Sequence, residues 1–307
     1  MMALRRRRLS RRITRTRPSR AFGFRRVART RRSSSFRSRG RMRRSLLSRR
    51  RILNISSKKK ADTLMPVVVG EDGVGTAGPI VVTPEDVGQG FNSLYIPSAR
   101  RFIPDPTDHG RTAETIFVRG YKERINVTVS AGATWTWRRT VFTFKGPTIR
   151  DYWLDNNQPP QYDGLGDSAG ATPARTIGPM IGQISTQIRS LLYRGAEGVD
   201  WYDPFTASIN TTRVSLISDK IITINPGNES GRTRTYRFWT PINKNLAYSS
   251  WENDQSEISS PYSVSSKPGV GDIYVFDQVR RETPASSAAL PAQLRFSPEG
   301  VFYWHER

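Results

Sequence analysis

The sequence predicts an all-β body of two packed sheets behind a strongly cationic N-terminal arm, and three observations carry this. First, charge is segregated: residues 1–60 hold 25 of the 49 Lys and Arg residues and no Asp or Glu. The remaining 247 residues hold 24 Lys and Arg against 26 Asp and Glu, a balance of −2 within a total of +23. Second, the body holds all seven Trp and all eleven Tyr, enough large side chains for a substantial core. Third, its apolar residues recur mostly at period two, with no strand–helix–strand rhythm and no repeat of fixed length.

The arm comes first. Arg5, Arg6, Arg7, Arg8, Arg11, Arg12, Arg25, Arg26, Arg31, Arg32, Arg43, Arg44, Arg49, Arg50, Arg51, Lys58, Lys59 and Lys60 form clusters separated by Ser, Thr and Gly. Such a composition cannot bury enough apolar surface to offset chain ordering, so disorder is expected in the free state. These eighteen residues are the candidate nucleic-acid contacts, because each Lys or Arg set on a phosphate backbone releases condensed counterions. Arginine outnumbers lysine 22 to 3 in the arm, which suits bidentate phosphate contact and stacking. Phe22, Phe24 and Phe36 are spaced among the arginines; stacking on exposed bases is one use for them, and unremarkable aromatic content is the blander account. The clusters also fit a nuclear-localisation signal. A mitochondrial transit peptide fits less well, since arginine dominates every face of the segment. No apolar run suits a secretory signal or a membrane span.

Residues 61–112 read as an ordered, irregular lead-in punctuated by Pro and Gly, with brief strands at Val67–Val69 and Ile80–Val82. Thr115–Tyr121 and Arg124–Ser130 follow as a nearly continuous β stretch, with Ile125, Val127 and Val129 on one face. A turn at Ala131–Gly132–Ala133 leads into Thr134–Lys145, and the two runs are expected to form a hairpin. Trp135 and Trp137 are expected in the core; Arg138 and Arg139 point to opposite faces, so at most one meets nucleic acid. Residues 146–182 make a long loop rich in Gly, Pro, Asp and Asn. Asp151, Asp155, Asp163 and Asp167 lie in it, but not in the ligand spacing of a calcium loop, so no metal is expected. One helix is expected next, from Ile184, Ile188, Leu191 and Leu192, with Gly195 past its end.

Strands resume at Arg213–Ile217 and Lys220–Asn225, turn at Pro226–Gly227–Asn228, and continue through Thr233–Thr240 and Asn243–Tyr248 to a polar loop. Gly269-Val270-Gly271 lacks the Lys and Ser/Thr of a phosphate loop and precedes the strand Asp272–Val279, so it is turn chemistry. A final pair, Gln293–Phe296 and Gly300–Trp304, closes the chain around Pro298–Glu299–Gly300. About eight strands, one short helix in a loop and long connections point to a single jelly roll, an eight-stranded two-sheet sandwich, over residues 61–307, with residues 1–60 as its arm.

Composition narrows the chemistry. There is no cysteine, and histidine occurs only at His109 and His305, which leaves little for imidazole- or thiolate-based catalysis or metal binding. The four Asn-x-Ser/Thr sequons, at Asn54, Asn126, Asn210 and Asn228, read as chance matches without a secretory signal. No catalytic residue and no cofactor is expected. A ribosomal or chromatin-associated protein is a rival reading, though its body would carry surplus positive charge. A β-sandwich carbohydrate hydrolase is another, but no acid–base pair of carboxylates stands out.

Several collinear blocks resemble the capsid proteins of genomoviruses, a family of circular single-stranded DNA viruses. They are Arg49-Arg50-Arg51-Ile52-Leu53-Asn54 with Lys58-Lys59-Lys60, and Phe117-Val118-Arg119-Gly120-Tyr121-Lys122-Glu123-Arg124-Ile125. Further blocks are Trp137-Arg138-Arg139, Phe142-Thr143-Phe144-Lys145-Gly146, Gly198-Val199-Asp200-Trp201, Asn243-Lys244-Asn245-Leu246, Gly271-Asp272-Ile273-Tyr274-Val275 and Tyr303-Trp304-His305-Glu306. The first 48 residues match in composition alone. The resemblance implies a single jelly-roll subunit, about 60 copies in a T=1 shell, and an inward-facing arm that holds single-stranded DNA. It also implies assembly in the host nucleus, hence a nuclear import receptor as a partner, with the virion as final location and no membrane.

Overall fold

The computed structural model describes residues 49–70, 74–83, 90–103, 110–130, 132–155, 163–165, 172–180, 183–227, 230–253, 256–282 and 292–307. The chain divides into Met1–Leu47 and Ser48–Arg307. The first unit lies outside the described residues, and with it Arg5 to Arg44 and the expected disorder. The second is built from eight long strands in two sheets.

In chain order these are β1 (Lys58–Leu64), β5 (Phe91–Tyr95), β6 (Thr115–Val129), β7 (Trp135–Phe144), β11 (Ser215–Ile224), β12 (Arg232–Asn253), β14 (Asp272–Arg281) and β15 (Leu294–Glu306). The first sheet runs β1-β15-β6-β12 and the second β5-β14-β7-β11. Counting the eight from one, the orders are 1-8-3-6 and 2-7-4-5. Only the step from fourth to fifth strand stays within a sheet. This interleaving is the double Greek key of a jelly roll. Short strands decorate it: β4 (Ile80–Val82) pairs with β15, and β13 (Ser256–Ser263) pairs with the end of β12. β2 (Pro66–Val69) and β3 (Gly75–Ala77) join β10 (Arg175–Ile177), and β8 (Asp163–Leu165) pairs with β9 (Thr172–Pro173).

Burial separates the sheets. β6 and β15 alternate buried and exposed along their length, so the first sheet has one face in the core and one in solvent. Eight of the ten β14 residues and nine of the ten in β7 are buried. The second sheet is covered on both faces. Its inner face meets Ile125, Val127 and Val129 of β6 through Trp135 and Trp137. Its outer face, with Phe142, Tyr274 and Phe276, packs under α3 (Ile184–Leu192) and α2 (Thr148–Asp155), through Ile188, Leu192, Ile149 and Trp153.

Several expectations change. The basic segment does not extend to residue 60: Arg49–Ser56 form helix α1 and Lys58–Lys60 belong to β1. Only 19 of the 25 cationic residues therefore precede the folded unit, whose own charge becomes 30 Lys and Arg against 26 Asp and Glu, or +4. The expected hairpin over 115–145 is absent, because the turn at Gly132 carries the chain from the first sheet to the second, and β6 and β7 pair with different partners. The stretches 213–225 and 233–248 are each one strand rather than two, and the second runs on to Asn253. The final pair is also a single strand, registered along β6 from Leu294↔Val129 to His305↔Phe117. Gly300 is not a turn glycine. A Cβ there would collide with the Tyr121 ring and hydroxyl, so the residue is small because Tyr121 lies across the backbone. The loop at 146–182 contains α2, with Asp151 and Asp155 exposed on it; Asp167 lies outside the described residues.

Candidate nucleic-acid interface

Of the eighteen residues proposed to hold nucleic acid, six are described. Arg49, Arg50 and Arg51 form the first turn of α1, and Lys58 and Lys59 are exposed on β1. Lys60 is a correction. It is 3% exposed, pairs with Glu306 at 2.7 Å, and donates to the Gly110 carbonyl at 2.7 Å and to Thr112 Oγ1 at 3.1 Å. An ammonium committed this way holds the edge of the sheet and is not offered to a ligand. Burial pushes the Glu306 carboxyl up, but hydrogen bonds from Lys60, Thr112 and Trp304 outweigh it and hold the group below the usual range.

Arg138 and Arg139 are structural as well. Arg138 makes a forked contact with Asp219 (3.0 and 2.7 Å) on the face covered by α3. Arg139 lies between the sheets with Glu123, Asp277 and Arg175. Neither is offered to solvent.

Beyond Arg51, Lys58 and Lys59, the cations that face solvent are ones sequence reasoning missed. Among the described residues, the outward face of the first sheet presents Lys59, Arg119, Lys122, Arg124, Arg237 and Arg295 against one carboxylate, Glu299. Arg124 is opposite Arg237 on one side and Glu299 on the other in the register, so a like-charge pair adjoins the carboxylate. Only Lys122-x-Arg124 shows in the period-two pattern; Arg119 joins their face because Gly120 and Tyr121 are buried in succession, which breaks the alternation.

Aromatic rings lie among these cations. Trp239 is half exposed and sits over Gly120, where a Cβ would come within 2.7 Å of the indole. It meets Tyr303 edge-on at 5.8 Å between ring centroids. Phe117 and His305 are 5.9 Å apart, tilted by 43°. β12 and β15 both slip register here, between Pro241 and Lys244 and between Tyr303 and Trp304. The slip sets Asn243 at φ 53°, within hydrogen-bond reach of Arg119; asparagine tolerates that left-handed conformation.

Below this bulge an open cleft of about 1200 Å³ is lined by Leu53 and Asn54 of α1, by Ser57 just after it, by Phe117 and Arg119 of β6, and by Asn243, Asn245, Lys59, His305 and Arg307. Among the described residues, no Asp or Glu lines it. Burial, then the nearby Lys59 and Arg119 charges, depress the His305 pKa below its ordinary value. The imidazole is therefore neutral near pH 7. Among the described residues no group of three or more His, Asp or Glu is placed to hold a metal ion, and no helix is long and apolar enough to cross a membrane.

No family model matches the chain, and no curated protein matches it. Solved structures do overlap with it. One titled "KBV activated particle at acidic pH" is 14% identical, over 81% of this chain and 68% of that one, with a TM-score of 0.22. VP1 of Trichodysplasia spinulosa-associated polyomavirus in complex with 3'-sialyllactose is 10% identical over 82% and 94%, with a TM-score of 0.16. An unassembled KI polyomavirus VP1 pentamer is 10% identical over 81% and 95%, with a TM-score of 0.15. The strand order 1-8-3-6 over 2-7-4-5, rather than these overlaps, establishes that the folded unit is a jelly roll.

Proposed function

We propose that this chain is a viral capsid protein of the genomovirus kind. Its jelly roll assembles with about 60 copies into a closed T=1 shell, and its cationic arm packages circular single-stranded DNA. The observation that carries the reading is the separation of charge. Nineteen arginines without a single carboxylate precede a jelly roll whose own charge is only +4. A body so close to neutral lets copies approach each other, while repulsion among arms is relieved only by a polyanion. Assembly and packaging are then one process. About 60 arms bring roughly 1,100 positive charges, enough to offset a large share of a genome of a couple of thousand nucleotides. Phosphate contacts carry no sequence code, so packaging is non-specific in base sequence.

The chain acts as a structural protein in this reading, and no reaction is assigned to it. The arm's arginine clusters serve as the signal for a host import receptor, which brings the protein to the nucleus for assembly before it leaves in the virion. The test is expression of the full chain alongside one lacking residues 1–47. Electron microscopy and nuclease protection should show particles holding nucleic acid from the first, and empty or fewer particles from the second. Full-length protein that stays monomeric with single-stranded DNA at every ionic strength overturns the proposal.

A further inference from the structure

We infer that the cleft beneath the β12–β15 bulge is a second, built site for single-stranded nucleic acid. It would hold a base and its flanking phosphates against the body of the subunit. This rests on the packaging reading above but concerns different residues. Three observations converge on it. Among the described residues the lining supplies Lys59, Arg119 and Arg307 and no Asp or Glu, which suits a phosphate. Phe117, 36% exposed, and His305 present adjacent ring faces at 5.9 Å, and an unpaired base stacks on such faces whatever its identity. Asn245, and the Asn243 amide NH2 beside the Oδ1 that accepts from Arg119, offer polar groups to a base edge.

The chemistry favours a single strand over a duplex, whose bases are already stacked on one another and closed to Phe117. The volume of about 1200 Å³ is above the range of about 300–1,000 Å³ usual for small-ligand sites, so a chain segment fits better than an isolated nucleotide. Connectivity supports it too. Leu53, Asn54 and Ser57 of the cleft wall lie six, seven and ten residues after Leu47 in sequence, close behind the arginine-rich stretch. The cation–aromatic face beyond, with Arg124, Arg237, Trp239 and Tyr303, continues the path.

The experiment uses the full chain and a short oligo(dT) in which one thymine is replaced by 5-iodouracil. The mixture is irradiated and digested, and adducts are mapped by mass spectrometry. Adducts at Phe117 or His305 are expected. They should fall about tenfold in Phe117→Leu and in Arg119→Gln, with thermal midpoints unchanged, and should be absent with the same strand in a duplex. Both substitutions lie on the solvent face, and either alone suffices as the control. Adducts confined to residues 1–48 overturn the cleft proposal and leave arm-based packaging intact. No adduct and no DNA retention at low salt overturn both.

Discussion

Asp277 is the position where the structure makes the sharpest energetic demand. It is 1% exposed, between the sheets, and accepts from Trp137 Nε1 at 2.9 Å, Arg175 Nη2 at 2.8 Å and Arg139 Nη1 at 3.2 Å. Glu123 completes the cluster, accepting from Arg175 Nε at 2.8 Å and pairing with Arg139. Two guanidinium groups thus face two carboxylates, and the sum is zero. Asp277→Asn conserves shape and removes one negative charge, leaving an uncompensated cation where water cannot reach. Breaking a buried pair from one side costs about 3–5 kcal/mol. Burial already pushes the Arg139 pKa down, and the Asp277 charge is the largest effect opposing it. For a folded unit of this length each kcal/mol lowers the midpoint by about 2–4 °C, so a drop of roughly 6–20 °C is expected in differential scanning calorimetry. Arg139→Met in the Asp277→Asn background restores neutrality and should lose less than the two single changes combined. A single-mutant drop under about 3 °C, or strict additivity in the double mutant, refutes the argument that charge balance in a dry core governs this cluster.

Other outcomes follow from named contacts. Gly300→Ala drives a Cβ into the fully buried Tyr121 and should cost about 1–3 kcal/mol, read as a lower midpoint in urea. Burial raises the Asp272 pKa to about 6 against an unfolded value of 3.8, despite hydrogen bonds from Ser263 and Ser98. The folded state therefore binds this proton first, and stability from this group rises as pH falls from about 6 to 4, by up to roughly 3 kcal/mol. The thermal midpoint of the wild type should gain on that of Asp272→Asn over that window; a constant gap between them refutes the assignment. Below about 4.5 the opposite sign enters through Glu306, whose carboxylate is held charged by Lys60, and stability is lost.

The sandwich was legible because β6 and β15 show one face to water, so their alternation survives in the sequence; α3 was legible from four apolar positions, though it ends at Leu192, before the expected cap at Gly195. Pairing was not. A turn such as that at Gly132 looks the same whether the chain doubles back within a sheet or crosses to the other, and only three-dimensional packing decides. Gly300 misled for a related reason: a glycine demanded by an overlying ring reads as a turn when Pro and Glu precede it. At the candidate interface the arginine count drew attention to residues 1–60. The cations of the outward face are spread over β1, β6, β12 and β15, and only the register brings Lys59, Arg119 and Arg124 to one surface.

The boundary between arm and body decides how any truncation should be interpreted. Removing residues 1–47 takes away nineteen arginines and no described element. Removing residues 1–60 takes α1 and the first three residues of β1, erasing the pairs Lys58↔Glu306, Lys59↔His305 and Lys60↔Trp304. It also strips Glu306, 3% exposed, of the cation that keeps it charged. The unpaired remainder of β15 becomes a sheet edge, which invites association of the wrong kind. The shorter deletion should therefore leave the thermal midpoint within about 2 °C while abolishing most retention of single-stranded DNA. The longer one should lower the midpoint by several degrees, in line with about 3–5 kcal/mol for a broken buried pair, and increase aggregation. Lys60→Met in the full chain separates the two effects, since it removes the buried cation and leaves every arm arginine in place. If Lys60→Met reduces DNA retention without lowering the midpoint, Lys60 is a ligand contact after all and the placement of the boundary at Ser48 fails.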